Sequence, residues 1–146
     1  MIENAIAVVD EAPARTELDT RKPVICCDLD AATFEGKKTL FNALNSAKSL
    51  DEYRKETGAS QLTVTGIILQ PYESVDEATG EIESGWGTIF MTADGPLYSR
   101  SLGITKSAQN LLGAFGGAWP ADETVIVEFY ETQLDGRRTW KEFRLV

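Results

Sequence analysis

The residues best suited to chemistry in this sequence are aromatic rings interspersed with arginines near the C-terminus. Residues 137–144 read RRTWKEFR, with four basic side chains and one acidic one. Alternate residues of a strand share a face, so we expect Arg138, Trp140 and Arg144 to lie together, with Glu142 beside them. Rings stack on bases and guanidinium groups pair with phosphates, so this pattern is typical of a surface for single-stranded nucleic acid.

Three more segments carry residues of the same kind. Tyr98 and Arg100 are two positions apart and should share one face of a strand. Trp86 and Phe90 share a face of the preceding strand, and Tyr72 closes an earlier one. These five residues complete a predicted nucleic-acid-binding set of eight. Strand aromatics also commonly fill cores, so the pattern leaves an interior place open for Trp86 and Phe90.

Other side chains are expected to serve the fold. Phe143 and Leu145 lie on the opposite face of the last strand, which should be the core. Trp119, between a Gly-Gly pair and a proline, is expected to lie under a loop. The lysines at 37, 38 and 106 are expected to be solvated helix residues unless they line the same groove.

Catalytic and metal chemistry find little support. The sequence has no histidine, which excludes Ser-His-Asp triads and histidine-bound zinc. Cys26 and Cys27 are adjacent, so in a strand they point to opposite faces and form no redox pair. The acidic segment 73–83 lacks the closing glutamate of an EF-hand. We therefore expect no enzyme, no cofactor and no metal; an enzyme would need a pocket with strongly shifted acids.

Apolar spacing and turn signals predict the elements that position these residues. Leu40, Phe41, Leu44 and Ala47 recur at helical spacing, and Ser49 with Glu52 forms a capping box. Together they predict a broken helix or a helical hairpin that covers one face of the rest of the protein. A further helix should be capped by Thr105 and end at Gly116. Runs rich in β-branched and aromatic residues predict strands at 23–29, 62–72, 86–92, 97–102, 124–132 and 138–145.

From Gln61 onward the predicted order is β-β-β-α-β-β, the layout of a five-stranded OB-like barrel in a mostly β, α+β protein. Other small α+β sheets share this order. A short strand and a helical segment precede the barrel. Residues 1–22 are polar and interrupted by Pro13, so they are expected to form a flexible tail before one nucleic-acid-binding domain at 23–146.

Composition sets the outer limits of function. The chain has 146 residues and a formal net charge of -9. It contains no apolar run of membrane length and no signal-like start, so we expect a cytoplasmic protein without a membrane partner. The acidic total opposes nucleic-acid binding unless the basic groups cluster locally, because binding follows local potential rather than the sum of charges.

Several segments in order resemble the small single-stranded DNA-binding proteins of tailed phages that replicate linear genomes from a protein primer. The segments are EGKKTLFNALNSA, LTVTGIILQPY, GTIFMTADG, PLYSRS and the terminal WKEFRLV, within residues 24–146. The resemblance implies an OB-like fold and non-sequence-specific binding to displaced single strands during replication. Those proteins are acidic too, which removes the objection from charge.

Some partners and alternatives stay open at this point. The chain ends in Leu145 and Val146 without the acidic C-terminal tail of cellular single-strand binders, so recruitment of replication proteins through such a tail is not expected. The oligomeric state, monomer or dimer, and the preference for DNA over RNA are undetermined. The alternative function is an acidic protein-interaction module, such as a DNA mimic that inhibits a DNA-handling protein.

Overall fold

The structure is a computed structural model, and it describes residues 21–136 and 138–146. The flexible tail expected over residues 1–22 therefore lies outside the described residues, apart from its last two positions. The described chain forms three helices and seven strands. They are β1 Val24–Cys27, α1 Phe34–Ser46, β2 Lys48–Ser49, α2 Leu50–Thr57, β3 Gln61–Val75, β4 Ile82–Thr92, β5 Gly95–Ser99, α3 Leu102–Phe115, β6 Val125–Gln133 and β7 Thr139–Leu145.

The described chain divides into two compact units. The smaller one contains Arg21, Lys22 and Pro71–Gly85, and the larger one contains Pro23–Gln70 and Trp86–Val146. In the smaller unit the chain turns tightly, because the Asp76 amide donates to the Glu81 carbonyl at 2.8 Å. The acidic loop expected over 73–83 is therefore shorter, since strand structure continues to Val75 and resumes at Ile82. A single domain over 23–146 stays a prediction.

The larger unit is built on a mostly antiparallel sheet. Its strand order is β2-β5-β4-β3-β6-β7, and β1 pairs with β3 outside this path. The predicted order β-β-β-α-β-β from Gln61 is confirmed, and the sheet with its helices is consistent with an OB-like α+β fold. The five-strand count is not confirmed, because β1 and the two-residue β2 also join the sheet.

Aromatic contacts show that the sheet curls around its core. Phe90 on β4 contacts Phe143 on β7 with ring centroids 5.4 Å apart, and it contacts Phe129 at 5.6 Å. β4 and β7 are three steps apart in the sheet, which would separate them by about 14 Å if the sheet were flat. Strong curvature is therefore required for their side chains to meet.

β3 changes its core-facing side halfway along its length. Val64 lies in the core, and so does Ile67, although an odd number of positions separates them. Strict alternation therefore breaks near Gly66, which indicates a local bulge. Before this point β3 pairs with β6, and after it β3 pairs with β1. Gly66 is required by space, because a Cβ there would lie 2.0 Å from the Cβ of Cys27.

Helices cover both faces of the central strands. α1 packs Leu40 and Ala43 onto Ile68, Ile89 and Met91 on the outer face. α2 begins at the predicted Ser49 cap, whose hydroxyl accepts from the Glu52 amide, and it buries Leu50 in the inner core. Both predicted helices are confirmed, but the expectation that they cover one face is wrong, because α1 packs on the outer face and α2 on the inner core. None of the described helices is long and apolar enough to span a membrane.

α3 begins earlier than the sequence predicts. Its N-cap is Ser101, whose hydroxyl accepts from the Ile104 amide, so β5 ends at Ser99 and not at 102. The prediction of a Thr105 cap is wrong because that hydroxyl is buried and donates to the Trp86 carbonyl at 3.2 Å. The predicted end is confirmed, since Gly116 caps the helix in the left-handed region at φ 67°.

Candidate nucleic-acid interface

The first turn of α3 lies directly against β7. A Cβ on Gly103 would be 2.0 Å from the Lys141 carbonyl oxygen and 2.9 Å from Cε2 of Trp140. One turn later, the Phe143 amide donates to the Ser107 hydroxyl at 3.4 Å. The helix therefore covers the free edge of the outermost strand, which would otherwise be open to pairing with another chain.

This contact brings together residues that are far apart in sequence. Trp140 lies against Gly103, and Arg100 comes just before the Ser101 cap of the same turn. The Arg100 side chain crosses onto β4, since its Cγ is 3.7 Å from the position of a Cβ on Gly87. Tyr98, 40% exposed, lies on the strand that leads into the turn. Three predicted residues, Tyr98, Arg100 and Trp140, thus surround the start of α3.

The outer face of β7 carries the other two predicted arginines. The pairing of β7 with β6 and the burial of Phe143 place residues 138, 140, 142 and 144 on the face opposite the core. Arg138 and Arg144 are exposed and Trp140 is half-buried. The expectation that Leu145 lies in the core is wrong, because it is 45% exposed. It ends the outermost strand, where only β6 flanks it.

Arg144 has close neighbours on β6. Its Nε lies 3.0 Å from Oε1 of Glu128, and its guanidinium carbon lies 4.9 Å from the centre of the Tyr130 ring. Hydrogen bonds from Gln61 and then from Arg144 hold the pKa of Glu128 below its ordinary value. A hydrogen bond to Glu142 raises the pKa of the Tyr130 hydroxyl. The positive charge of Arg144 is therefore partly neutralised locally.

Arg138 and Lys141 of the basic run also have an acidic partner or lie on another face. Nε of Arg138 lies 3.2 Å from a carboxylate oxygen of Asp135. Lys141 lies on the other face of β7, with Nζ 3.8 Å from Asp51. The net charge of the sequence run therefore does not become a uniformly positive patch on one face.

Tyr130 is a ring on this surface that the sequence reasoning missed. It is half-buried and lies opposite Glu142 in the pairing of β6 with β7. Alternation along β6 was the available signal, because Val127 and Phe129 are core residues and Tyr130 takes the other side.

Two predicted residues, Phe90 and Trp86, do not join this surface as expected, and Tyr72 belongs to the other unit. The expectation for Phe90 needs correction: the ring is 0% exposed and packs against Phe129 and Phe143, so no base can stack on it. Trp86 is half-buried and packs against the same core. Tyr72 lies in the smaller unit, where its carbonyl accepts from Arg21 at 3.1 Å. The predicted alternation of Trp86 and Phe90 against Ile89 is confirmed.

The described residues also include two cysteine thiols and scattered carboxylates. Burial raises the pKa of the Cys26 and Cys27 thiols, so neither is an activated nucleophile. Within residues 21–136 and 138–146, no group of three or more His, Cys, Asp or Glu side chains could hold a metal ion. An open cleft of about 430 Å³ beside α2 mixes Arg54, Lys55 and Lys141 with acidic side chains.

An OB-like sheet with rings and arginines on its outer surface is an architecture that oligonucleotide-binding domains use. The family model of the phage single-stranded DNA-binding proteins matches residues 19–139, which is most of the chain. The chain therefore belongs to this family, as the resemblance of its segments predicted.

Comparison with individual proteins gives one named relative. A protein of Bacillus phage GA-1 called single-stranded DNA-binding protein is 28% identical over 109 residues, which are 71% of this chain and 64% of that protein. The match thus spans slightly less than two thirds of the relative. No solved structure matches the chain.

Proposed function

We propose that this protein binds single-stranded DNA, without sequence preference, on the outer surface where the first turn of α3 meets β7. The observation that carries the proposal is the placement of Trp140. Its ring lies against Gly103, beside the segment that carries Arg100. Alternation along β7 puts Arg138 and Arg144 on the same face. Membership of the phage family supports the same ligand.

Each residue has a distinct role in the proposed complex. Trp140 and Tyr98 stack bases, and the half-buried Tyr130 extends this set. The exposed guanidinium groups of Arg100, Arg138 and Arg144 pair with phosphates through charge-assisted hydrogen bonds. Every base presents an aromatic face, so stacking tolerates any sequence. Trp86 and Tyr72 stay secondary candidates, because one packs on the core and the other lies in the smaller unit.

The biological role follows from the family. We propose that the protein covers strands displaced during phage DNA replication in the host cytoplasm, without catalysing a reaction itself. Contacts with replication proteins belong to the same proposal. The net charge of -9 would repel DNA elsewhere and confine binding to the surface around Trp140.

Titration with poly(dT) at low salt, followed by tryptophan fluorescence, tests the proposal. Stacking on Trp140 should quench the emission. Heparin is the control, because it carries the negative charge without bases and should quench little. Absence of quenching at micromolar protein, together with no shift of labelled oligonucleotides in a gel, would contradict single-strand binding and favour the acidic protein-interaction module.

A further inference from the structure

α1 exposes a row of aromatic and basic side chains that the proposed site does not include. Phe34, Lys37, Lys38 and Phe41 recur at i, i+3, i+4 and i+7, so they follow one side of the helix. Phe34 is 74% exposed and Phe41 is 62% exposed. These four residues are called the α1 stripe.

The rings of the α1 stripe contribute little to packing. α1 is attached through another side of the helix, where Leu40 and Ala43 are buried against the sheet. No aromatic ring among the described residues is more exposed than those of Phe34 and Phe41. Single exposed hydrophobics are ordinary, but two rings and two lysines aligned on one helix side form a patch that suits a ligand.

Helix α1 lies over the same face of the sheet that carries Tyr98 and Arg100. α1 packs over Ile89, and the β5 partner of Ile89 is Tyr98. The side-chain amide of Gln70 donates to the backbone carbonyl of Leu44 near the end of α1 at 3.2 Å. The Gln70 carbonyl and the Cγ of Arg100 both approach the Cβ position of Gly87, at 4.0 and 3.7 Å. The helix therefore reaches the neighbourhood of Arg100.

We propose that the α1 stripe is a second segment of the path for single-stranded DNA, which rests on the proposed function. Phe34 and Phe41 stack bases, and Lys37 and Lys38 pair with the intervening phosphates. Seven helical residues separate the rings by about 10.5 Å along the axis. Rings with cations between them match the repeating base and phosphate chemistry of one strand.

A second copy of the chain fits the α1 stripe less well. A two-fold contact between stripes would bring the central lysines of one copy close to those of the other. Lys37 and Lys38 would then repel their counterparts, because Glu35, whose carboxylate lies 3.7 Å from Nζ of Lys38, offsets only one of the two charges. A polyanion is attracted by the same two positive charges. The proposed occupant is therefore DNA and not another protomer.

The test compares two double variants on oligothymidylates of about 6 and about 20 nucleotides, one within and one beyond the range of site sizes of a single OB fold. F34A/F41A removes both rings, whereas T39A/N42A changes two exposed residues of the same helix outside the stripe. Alanine favours helix, so both variants should fold. We expect F34A/F41A to weaken binding of the long oligonucleotide about tenfold or more, and T39A/N42A to leave it unchanged.

The outcomes separate the two proposals. If wild type binds both lengths and F34A/F41A binds the long one equally well, the α1 stripe is not part of the path while the proposed function stands. If wild type binds neither, the proposed function fails and this inference with it. Unchanged affinity with a changed sedimentation coefficient for F34A/F41A would assign the stripe to contacts between copies and overturn the inference. K37Q/K38Q should reduce the salt slope by about 1.4 if both lysines meet phosphates.

Discussion

Trp140 lies on β7 with its indole against the backbone of Gly103. The ring is half-buried, so one side is held by the protein and part of it stays accessible. A ring fixed in this way loses little side-chain entropy when a base stacks on it. Rigid placement makes Trp140 the residue on which proposed binding should depend most.

Replacing this ring tests that dependence. Trp140→Ala should weaken single-stranded DNA binding by about 1–3 kcal/mol through lost stacking, and Trp140→Phe should recover most of the loss. Fluorescence anisotropy of a labelled oligonucleotide measures both variants without relying on tryptophan emission. Urea unfolding of each variant shows whether the fold is intact. Equal affinities of wild type and Trp140→Ala would remove this ring from the site.

Arg144 illustrates how a neighbour tunes a binding residue. Glu128 holds its Nε at 3.0 Å, so a phosphate must compete with a carboxylate already in place. Hydrogen bonds from Gln61 and Arg144 lower the pKa of Glu128, which keeps the carboxylate charged at pH values where other glutamates begin to protonate.

Glu128→Gln should therefore strengthen single-stranded DNA binding at neutral pH, by about twofold or more, because it releases Arg144. The stability that ionised Glu128 contributes is complete above its unfolded pKa and is lost as pH falls through the lowered folded value. The DNA affinities of wild type and Glu128→Gln should therefore become equal only in strongly acidic solution, where Glu128 is protonated. Glu131→Gln, which removes an equal charge from the same strand, is the control and should have a smaller effect than Glu128→Gln. A gain of the same size in both variants would mean that only net charge matters.

Helix α3 follows β5 on one side of the curled sheet and packs against β7, the outermost strand on the other side. Its first turn follows β5 and contacts Trp140 on β7. The hydroxyl of Thr105 in this helix accepts a hydrogen bond from the buried Thr88 hydroxyl at 3.1 Å. Gly103 allows this approach, because any larger residue would meet the Lys141 carbonyl oxygen. The geometry of the proposed site therefore depends on one position of this helix.

Two glycines of α3 provide a matched pair for testing the close contact between α3 and β7. Gly103→Ala should destabilise the fold by about 1–3 kcal/mol, since the helix must move away from β7. Gly113→Ala has no heavy atom near the new Cβ and should be neutral or stabilising by about 0.5–1 kcal/mol. Urea denaturation of both variants measures the difference. Equal stability would show that α3 and β7 are not held this closely.

Charge over the whole molecule opposes its proposed ligand, whereas the local chemistry favours it. The net charge is -9, and several cations near the site already have carboxylate partners. Binding must therefore depend on a few basic groups together with stacking. We expect modest affinity and a moderate salt dependence rather than the steep one of a strongly basic protein.

Measuring DNA affinity at several salt concentrations shows how much of the binding comes from phosphate contacts. If Arg100, Arg138 and Arg144 each neutralise one phosphate, they should contribute about -2 to the slope of log affinity against log salt for a single strand, and the two lysines of the α1 stripe should add about -1.4. Affinity should then fall roughly tenfold or more between about 50 mM and about 200 mM salt. Arg144→Ala should reduce the slope by about 0.7. A flat dependence in wild type would exclude phosphate contacts from these arginines.

The sequence by itself determined the order of the elements and several local details. Alternation placed Phe143 inside and Trp140 on the other face of β7, because neighbouring strand residues must point to opposite sides. The Ser49 cap and the Gly116 end of α3 were also predictable, since caps depend on residues within one turn.

Only the tertiary structure decided which of these residues share a surface. Phe90 is buried because the sheet curls until β4 faces β7. Arg144 is partnered because β6 supplies Glu128, and Trp140 meets Gly103 because α3 folds back onto the outermost strand. Each of these contacts joins residues far apart in the chain, and spacing along a sequence carries no information about how far a sheet bends.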